Sequence, residues 1–234
     1  MKRIIFCFFI TFHLAVNSQT YYNDAQLWFN FYLEKKVTKA FLIHLNQQDR
    51  WNRNISQYSL GYADVGITLK ITRNIKVLLD YVYTEKRKKT DIFSTRHQYY
   101  AAMVLKKDIR RWRFSYRNMF QFQYNDPFTS KDGMIAYYYD RNKFTLKYYA
   151  TKRFDLYVAE ELYVPLNNAQ LKGLDRSRSF VGMFYNFTKK QQLELYFMLQ
   201  CQLQKGDWYK QHNYYPNYML NHDYVYGIGY SIQF

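Results

Sequence analysis

The chain has only two cysteines and three prolines in 234 residues. Cys7 sits in an N-terminal stretch that reads as a removable leader, which leaves Cys201 alone. One thiol excludes an intramolecular disulfide and a thiol pair for redox or metal chemistry. Proline removes a ladder donor and is kept out of central strands, so its scarcity suits a chain built almost wholly of strand. Helical spacing of apolar residues is nearly absent. No apolar run reaches the roughly 20 residues of a membrane-crossing helix. Acidic residues are also scarce, with 18 Asp and Glu against 34 Lys and Arg, a net charge of +16. In a cytoplasmic protein that excess would suggest nucleic acid.

The N-terminus argues for export instead. MKRIIFCFFITFHLAVNSQT has a basic start at Lys2 and Arg3, a short apolar stretch from Ile4 to Val16, and small residues at Val16 and Ser18. This is the layout of a secretory signal. His13 and the shortness of the run speak against an anchor. Residues 1–18 are expected to be cleaved, and residues 19–234 to form one domain. Losing Lys2 and Arg3 takes the charge from +16 to +14. An exported chain seldom meets nucleic acid, so no nucleic-acid partner is expected.

What is abundant is aromatic: 27 Tyr, 19 Phe and 4 Trp, 21% of the chain. These residues recur at every second position. In QLELYFMLQCQLQ, Leu193, Leu195, Phe197, Leu199, Cys201 and Leu203 share one face, and Gln192, Glu194, Tyr196, Gln200, Gln202 and Gln204 the other. WRFSYRNMFQFQY, ADVGITLKI and IKVLLDYVY repeat the pattern. Such runs are longer than the usual 5 or 6 residues of a soluble strand and match the roughly 9–11 needed to cross a bilayer at a tilt. Short basic connections (EKKVTK, ITRN, KKDIRR, ATKRFD, TKKQQ) alternate with longer ones near 50–57, 84–95, 125–138, 165–176 and 205–222. The expectation is all-β: a transmembrane antiparallel up-and-down β-barrel of about 10–12 strands in a bacterial outer membrane. Eleven strands are discernible, but single-chain bacterial barrels use an even number, with both termini at the periplasmic rim. GMIAYYYDRNKFTLKYYATK could hold one long strand or a hairpin turning at Asp140–Lys143. The last strand, HDYVYGIGYSIQF, is expected to close against the first, so that no edge and no tail remain.

The signal, the Tyr-rich alternation and terminal Phe234 resemble a Gram-negative outer-membrane protein, and this resemblance implies that Phe234 is part of the signal read by the barrel-assembly machinery. More narrowly, LWFNFYLEKKVTKAFLIHLNQQDRW, RHQYY followed by WRFSYRNMFQFQ, KFTLKYY and LYVAEELY resemble a family of uncharacterised outer-membrane barrels known only as a domain of unknown function. The resemblance covers nearly all of the mature chain. It implies a fold and a location, and no activity.

The polar faces supply candidate lumen residues: Arg50, Asp64, Asp80, Arg96, Arg113, Arg117, Arg178 and Glu194. Two readings follow. The charges pair and fill the lumen, or they line a narrow pore whose arginines favour anions. In LYVAEELYV, Glu160 and Glu161 must point to opposite faces. Trp208, Tyr209, Tyr214 and Tyr215 in the last long loop are candidates for stacking on a sugar or a partner. Twelve cations crowd the short turns (Lys35, Lys36, Lys39, Arg73, Lys106, Lys107, Arg110, Arg111, Lys152, Arg153, Lys189, Lys190) and suit anionic lipid head groups. Among the histidines, His97 lies near Ser94 and Thr95 without a third partner, and His212 and His222 match no ligand spacing. No catalytic residue, metal or cofactor is therefore expected. The functional reading is a non-enzymatic, porin-like barrel, structural or binding, or a narrow anion-leaning pore. The rival reading is a barrel enzyme hydrolysing lipid or peptide. Expected partners are outer-membrane lipids, the barrel-assembly machinery, and small anions or sugars.

Overall fold

The computed structural model describes residues 22–88, 92–125, 136–167, 173–202 and 221–234. The leader expected at residues 1–18 and the loop aromatics Trp208, Tyr209, Tyr214 and Tyr215 lie outside the described residues. So do His212 and much of the four longest connections.

Eleven strands form one closed barrel: β1 (Tyr22–Lys36), β2 (Phe41–Asn52), β3 (Gln57–Lys70), β4 (Ile75–Arg87), β5 (Phe93–Ile109), β6 (Trp112–Asn125), β7 (Ala136–Tyr149), β8 (Phe154–Pro165), β9 (Arg176–Asn186), β10 (Gln191–Gln202) and β11 (Asn221–Gln233). Each strand pairs antiparallel with the next, and β11 returns to β1 in parallel. The even count expected for a bacterial barrel does not hold among the described residues. An odd number of alternating strands leaves its first and last strands pointing the same way, so the seam must be parallel. The start of β1 therefore lies at the rim opposite Phe234. Residues 136–149 form one strand, and the hairpin at Asp140–Lys143 is absent.

The seam consumes the C-terminus. Phe31 stacks on Tyr230, the Phe234 N–H donates to the Glu34 carbonyl at 2.8 Å, and the Lys36 N–H donates to the Phe234 carbonyl at 3.2 Å. The last residue is thus still a member of the ladder.

Four of the five short turns share one device, and the fifth, between β5 and β6, turns instead through Arg110 at φ 55°. In VTKA, ITRN, ATKR and FTKK, the hydroxyls of Thr38, Thr72, Thr151 and Thr188 each accept two backbone N–H bonds from the residues two and three places on. A threonine that satisfies the turn internally frees the next positions to be charged. At the opposite rim, the β2–β3 connection is shorter than the loop expected at 50–57. Arg53, Asn54 and Ile55 turn it with φ of 51°, 55° and 68°. Asp24 holds this costly turn by accepting the Asn54 N–H at 2.8 Å.

Alternation decides facing. On β8, Leu156 and Val158 are 48% and 50% exposed on the outside, whereas Tyr157 and Glu161 are 6% and 2% exposed inside. Phe29, Ile43, Val65, Leu79, Tyr99 and Phe120 continue the apolar outer surface around the barrel. A cation in the middle of that surface has no partner in hydrocarbon. Leu79→Arg should lower barrel stability in lipid bilayers by about 2–4 kcal/mol. Equilibrium urea unfolding in vesicles measures this, and an unchanged midpoint would mean that this face does not meet lipid.

Candidate functional site

The lumen holds the charged residues, and its centre is Glu161. Strand β8 turns this carboxylate inward, where it is almost fully buried. Arg117 from β6 reaches it at 2.6 Å, Arg141 from β7 at 2.8 Å and Arg178 from β9 at 3.6 Å. The Tyr163 hydroxyl donates to its second oxygen at 3.3 Å. A carboxylate buried alone would be prohibitively costly; with several cationic donors its lone pairs are occupied.

The network spreads from there. Arg178 donates to the Tyr163 hydroxyl and, at 2.7 Å, to Gln200, which donates in turn to Asp223. The Arg178 guanidinium also lies 5.4 Å from the Trp28 ring, and Arg50 covers the same ring at 3.7 Å. Arg50 faces Tyr62, and Arg141 sits over Tyr163 and near Tyr100. Every strand except β4 contributes a side chain to this layer of guanidinium, ring and amide groups. Beside it is a small apolar cluster of Trp28, Met198 and Val225, flanked by Phe180 and Tyr196. The cluster depends on a missing side chain: a Cβ on Gly227 would lie 1.9 Å from the Tyr196 ring.

Nearer the turn rim, the Tyr157 hydroxyl donates to Glu194 at 2.5 Å, and Lys147 lies 3.8 Å from Asp155. Lys143 and Lys147 rest on the rings of Phe180 and Phe184. Arg117, Arg141, Lys143, Lys147 and Arg178 come from β6, β7 and β9, beside Asp155, Glu161 and Glu194 from β8 and β10; Glu34, Asp64 and Asp80 come from β1, β3 and β4, whose inward phase also carries Lys70, Lys76 and Lys86.

Of the residues expected in the lumen, Arg50, Arg117 and Arg178 are brought together in this layer. Glu194 is held by Tyr157. Arg96 has the inward phase of β5, with its Nε buried and unbonded. Arg113 is at the turn rim, where it grips Asp108 at 2.5 and 2.8 Å. Asp64 and Asp80 are joined by His44, whose Nε2 lies 2.9 Å from Asp80 Oδ1. The ligand atoms of the three lie within 4.8 Å of one another, so this is the group that could hold a metal ion. Three separate strands supply it, which is why no local spacing announced it. His97 faces outward, bonded to the Tyr81 hydroxyl at 2.8 Å and stacked on Tyr124.

Sequence reasoning missed Arg141 and Tyr163 as members of the layer, although period-two counting from Lys147 and from Glu161 would have found them. It also did not anticipate a polar band on the outer face. Asp140 accepts amide bonds from Asn118 at 2.6 Å and Asn142 at 2.8 Å, on strands whose other outward residues are mainly aromatic or aliphatic. Glu160, sharing the outward phase of Leu156 and Val158, stands on the neighbouring strand.

A closed barrel with an apolar exterior and a charged interior defines a porin-like fold. The chain belongs to the DUF2490 family of proteins of unknown function, whose model matches residues 25–211. Among solved structures, the NanC porin is similar with a TM-score of 0.52 at 13% identity, over 90% of this chain and 99% of that one. The translocator domain of the autotransporter NalP from Neisseria meningitidis matches with a TM-score of 0.43 at 10% identity, over 70% of each chain. No curated protein matches the sequence significantly.

The packing at Gly227 is directly testable. Gly227→Ala must displace the Tyr196 ring and should cost about 1–3 kcal/mol, the usual penalty for overpacking. Urea unfolding together with near-ultraviolet circular dichroism reads both effects; unchanged stability and an unchanged aromatic signal would contradict the described packing.

Proposed function

We propose that this protein is a non-enzymatic outer-membrane barrel whose lumen is a narrow, anion-leaning constriction rather than an open diffusion channel. The observation that carries this reading is the layer at Glu161. It sets Arg117, Arg141 and Arg178 around one carboxylate, with Arg50 in the same layer, so cationic groups outnumber anionic ones there even with Asp223 counted. Small anions passing such a ring exchange water for guanidinium donors, and cations are repelled.

The outer-membrane location is supported by the apolar exterior, the porin-like fold and the secretory layout of the leader. The turn cations give this rim a strong positive potential, suited to anionic head groups on the periplasmic side. Terminal Phe234, held at that rim, suits recognition by the barrel-assembly machinery.

Conductance of the refolded barrel across a planar bilayer under a salt gradient tests the proposal. The wild type should give small steps with a reversal potential of anion preference. Glu161→Gln, which removes the central negative charge, should strengthen that preference. Large cation-selective steps from the wild type would overturn the reading.

A further inference from the structure

On the inner face of β2, β3 and β4, His44 and Asp80 meet beside Gly66, with Asn46 and Asp64 close along the same strands. His44 and Asp80 flank Gly66 in register, one strand to each side. A Cβ on Gly66 would lie 1.9 Å from Asp80 Oδ1 and 2.5 Å from His44 Nε2, so the glycine leaves open the space in which they meet. Asn46 and Asp64 are the next inward pair along the same strands.

Three buried polar atoms in this cluster have no hydrogen-bond partner, His44 Nδ1, Asn46 Oδ1 and Asp64 Oδ1, and Asp80 Oδ1 meets only His44 Nε2 at 2.9 Å. His44 is 4% exposed and Asp80 is 9% exposed, so water does not readily satisfy them. Among the described residues, no lysine or arginine forms an ion pair with Asp64 or Asp80. Buried polar atoms are nearly always bonded, and buried carboxylates are paired or bind metal. Tyr32 stacks on His44 at 5.6 Å and fixes the plane of the ring.

We propose that His44, Asp64 and Asp80, with the Asn46 carboxamide oxygen alongside, form a binding site for one divalent transition-metal ion of the zinc class. One imidazole nitrogen with carboxylate oxygens is a borderline ligand set. It suits zinc better than magnesium or calcium, which prefer oxygen alone. The ion would replace the His44–Asp80 contact, balance two carboxylates, and clamp three adjacent strands. The inference does not rest on the conductance reading; a closed or an open lumen could hold the ion.

The test uses refolded, tag-free barrel in detergent, stripped by a chelator and then titrated with zinc against a chromophoric competitor. One zinc ion should bind per folded barrel and raise the thermal midpoint. Asp64→Asn and Asp80→Asn should each weaken uptake by at least about tenfold, whereas Asp108→Asn, at the exposed turn rim, should leave it unchanged. Asp64 is less buried than Asp80, so Asp64→Asn gives the answer if Asp80→Asn does not fold. Cobalt in place of zinc should show ligand-field bands without a thiolate charge-transfer band. A folded wild-type barrel that takes up no zinc would overturn the proposal. So would uptake that Asp64→Asn leaves unchanged, which would mark the ion as bound elsewhere.

Discussion

A single buried carboxylate organises the interior of this barrel. Glu161 lies in a wall position from which water is excluded, so it must be compensated by the protein or be a severe liability. Three guanidiniums and a phenol supply that compensation. Each arginine is then fixed at one end and free to pack its flat face elsewhere. Arg178 uses this freedom to reach Trp28, and Arg141 to cover Tyr163. The hydrogen-bonded walls give the barrel its shape, but the contents of the lumen follow from where Glu161 is placed.

The same arrangement links the seam to the interior. β1 meets β11 in parallel, and its inward Trp28 carries arginines from both sides. The apolar cluster beneath is possible because Gly227 concedes its side-chain volume to Tyr196. Gly66 plays a comparable part on β3, where His44 and Asp80 close over it. Small residues on the inner face thus decide where large or charged groups converge.

Much of the fold was legible in the sequence because a period of two fixes facing as soon as one side is apolar. The alternation in QLELYFMLQCQLQ and WRFSYRNMFQFQY determined which residues point inward, and strand ends were legible from the basic turns. Local spacing could not reveal which inward residues meet. Glu161 and Arg178 lie on adjacent strands, but Arg117 reaches Glu161 across β7. Closure also depends on register, so the parallel seam followed from the strand count and not from any motif. The turn threonines were visible in VTKA, ITRN, ATKR and FTKK, yet their repeat is obscured by the surrounding lysines. Asp140, Asn118 and Asn142 were hidden for a different reason: they break the apolar rule of the outer face, and they satisfy one another instead.

The decisive measurement is a double-mutant cycle between Glu161 and Arg141, with Glu161→Gln, Arg141→Gln and the pair, by equilibrium unfolding of the folded barrel. If the carboxylate organises the lumen layer, the two substitutions are strongly non-additive, with a coupling of about 1–3 kcal/mol. Effects that add to within about 0.5 kcal/mol would contradict it, and would mean that these side chains share the lumen without holding one another.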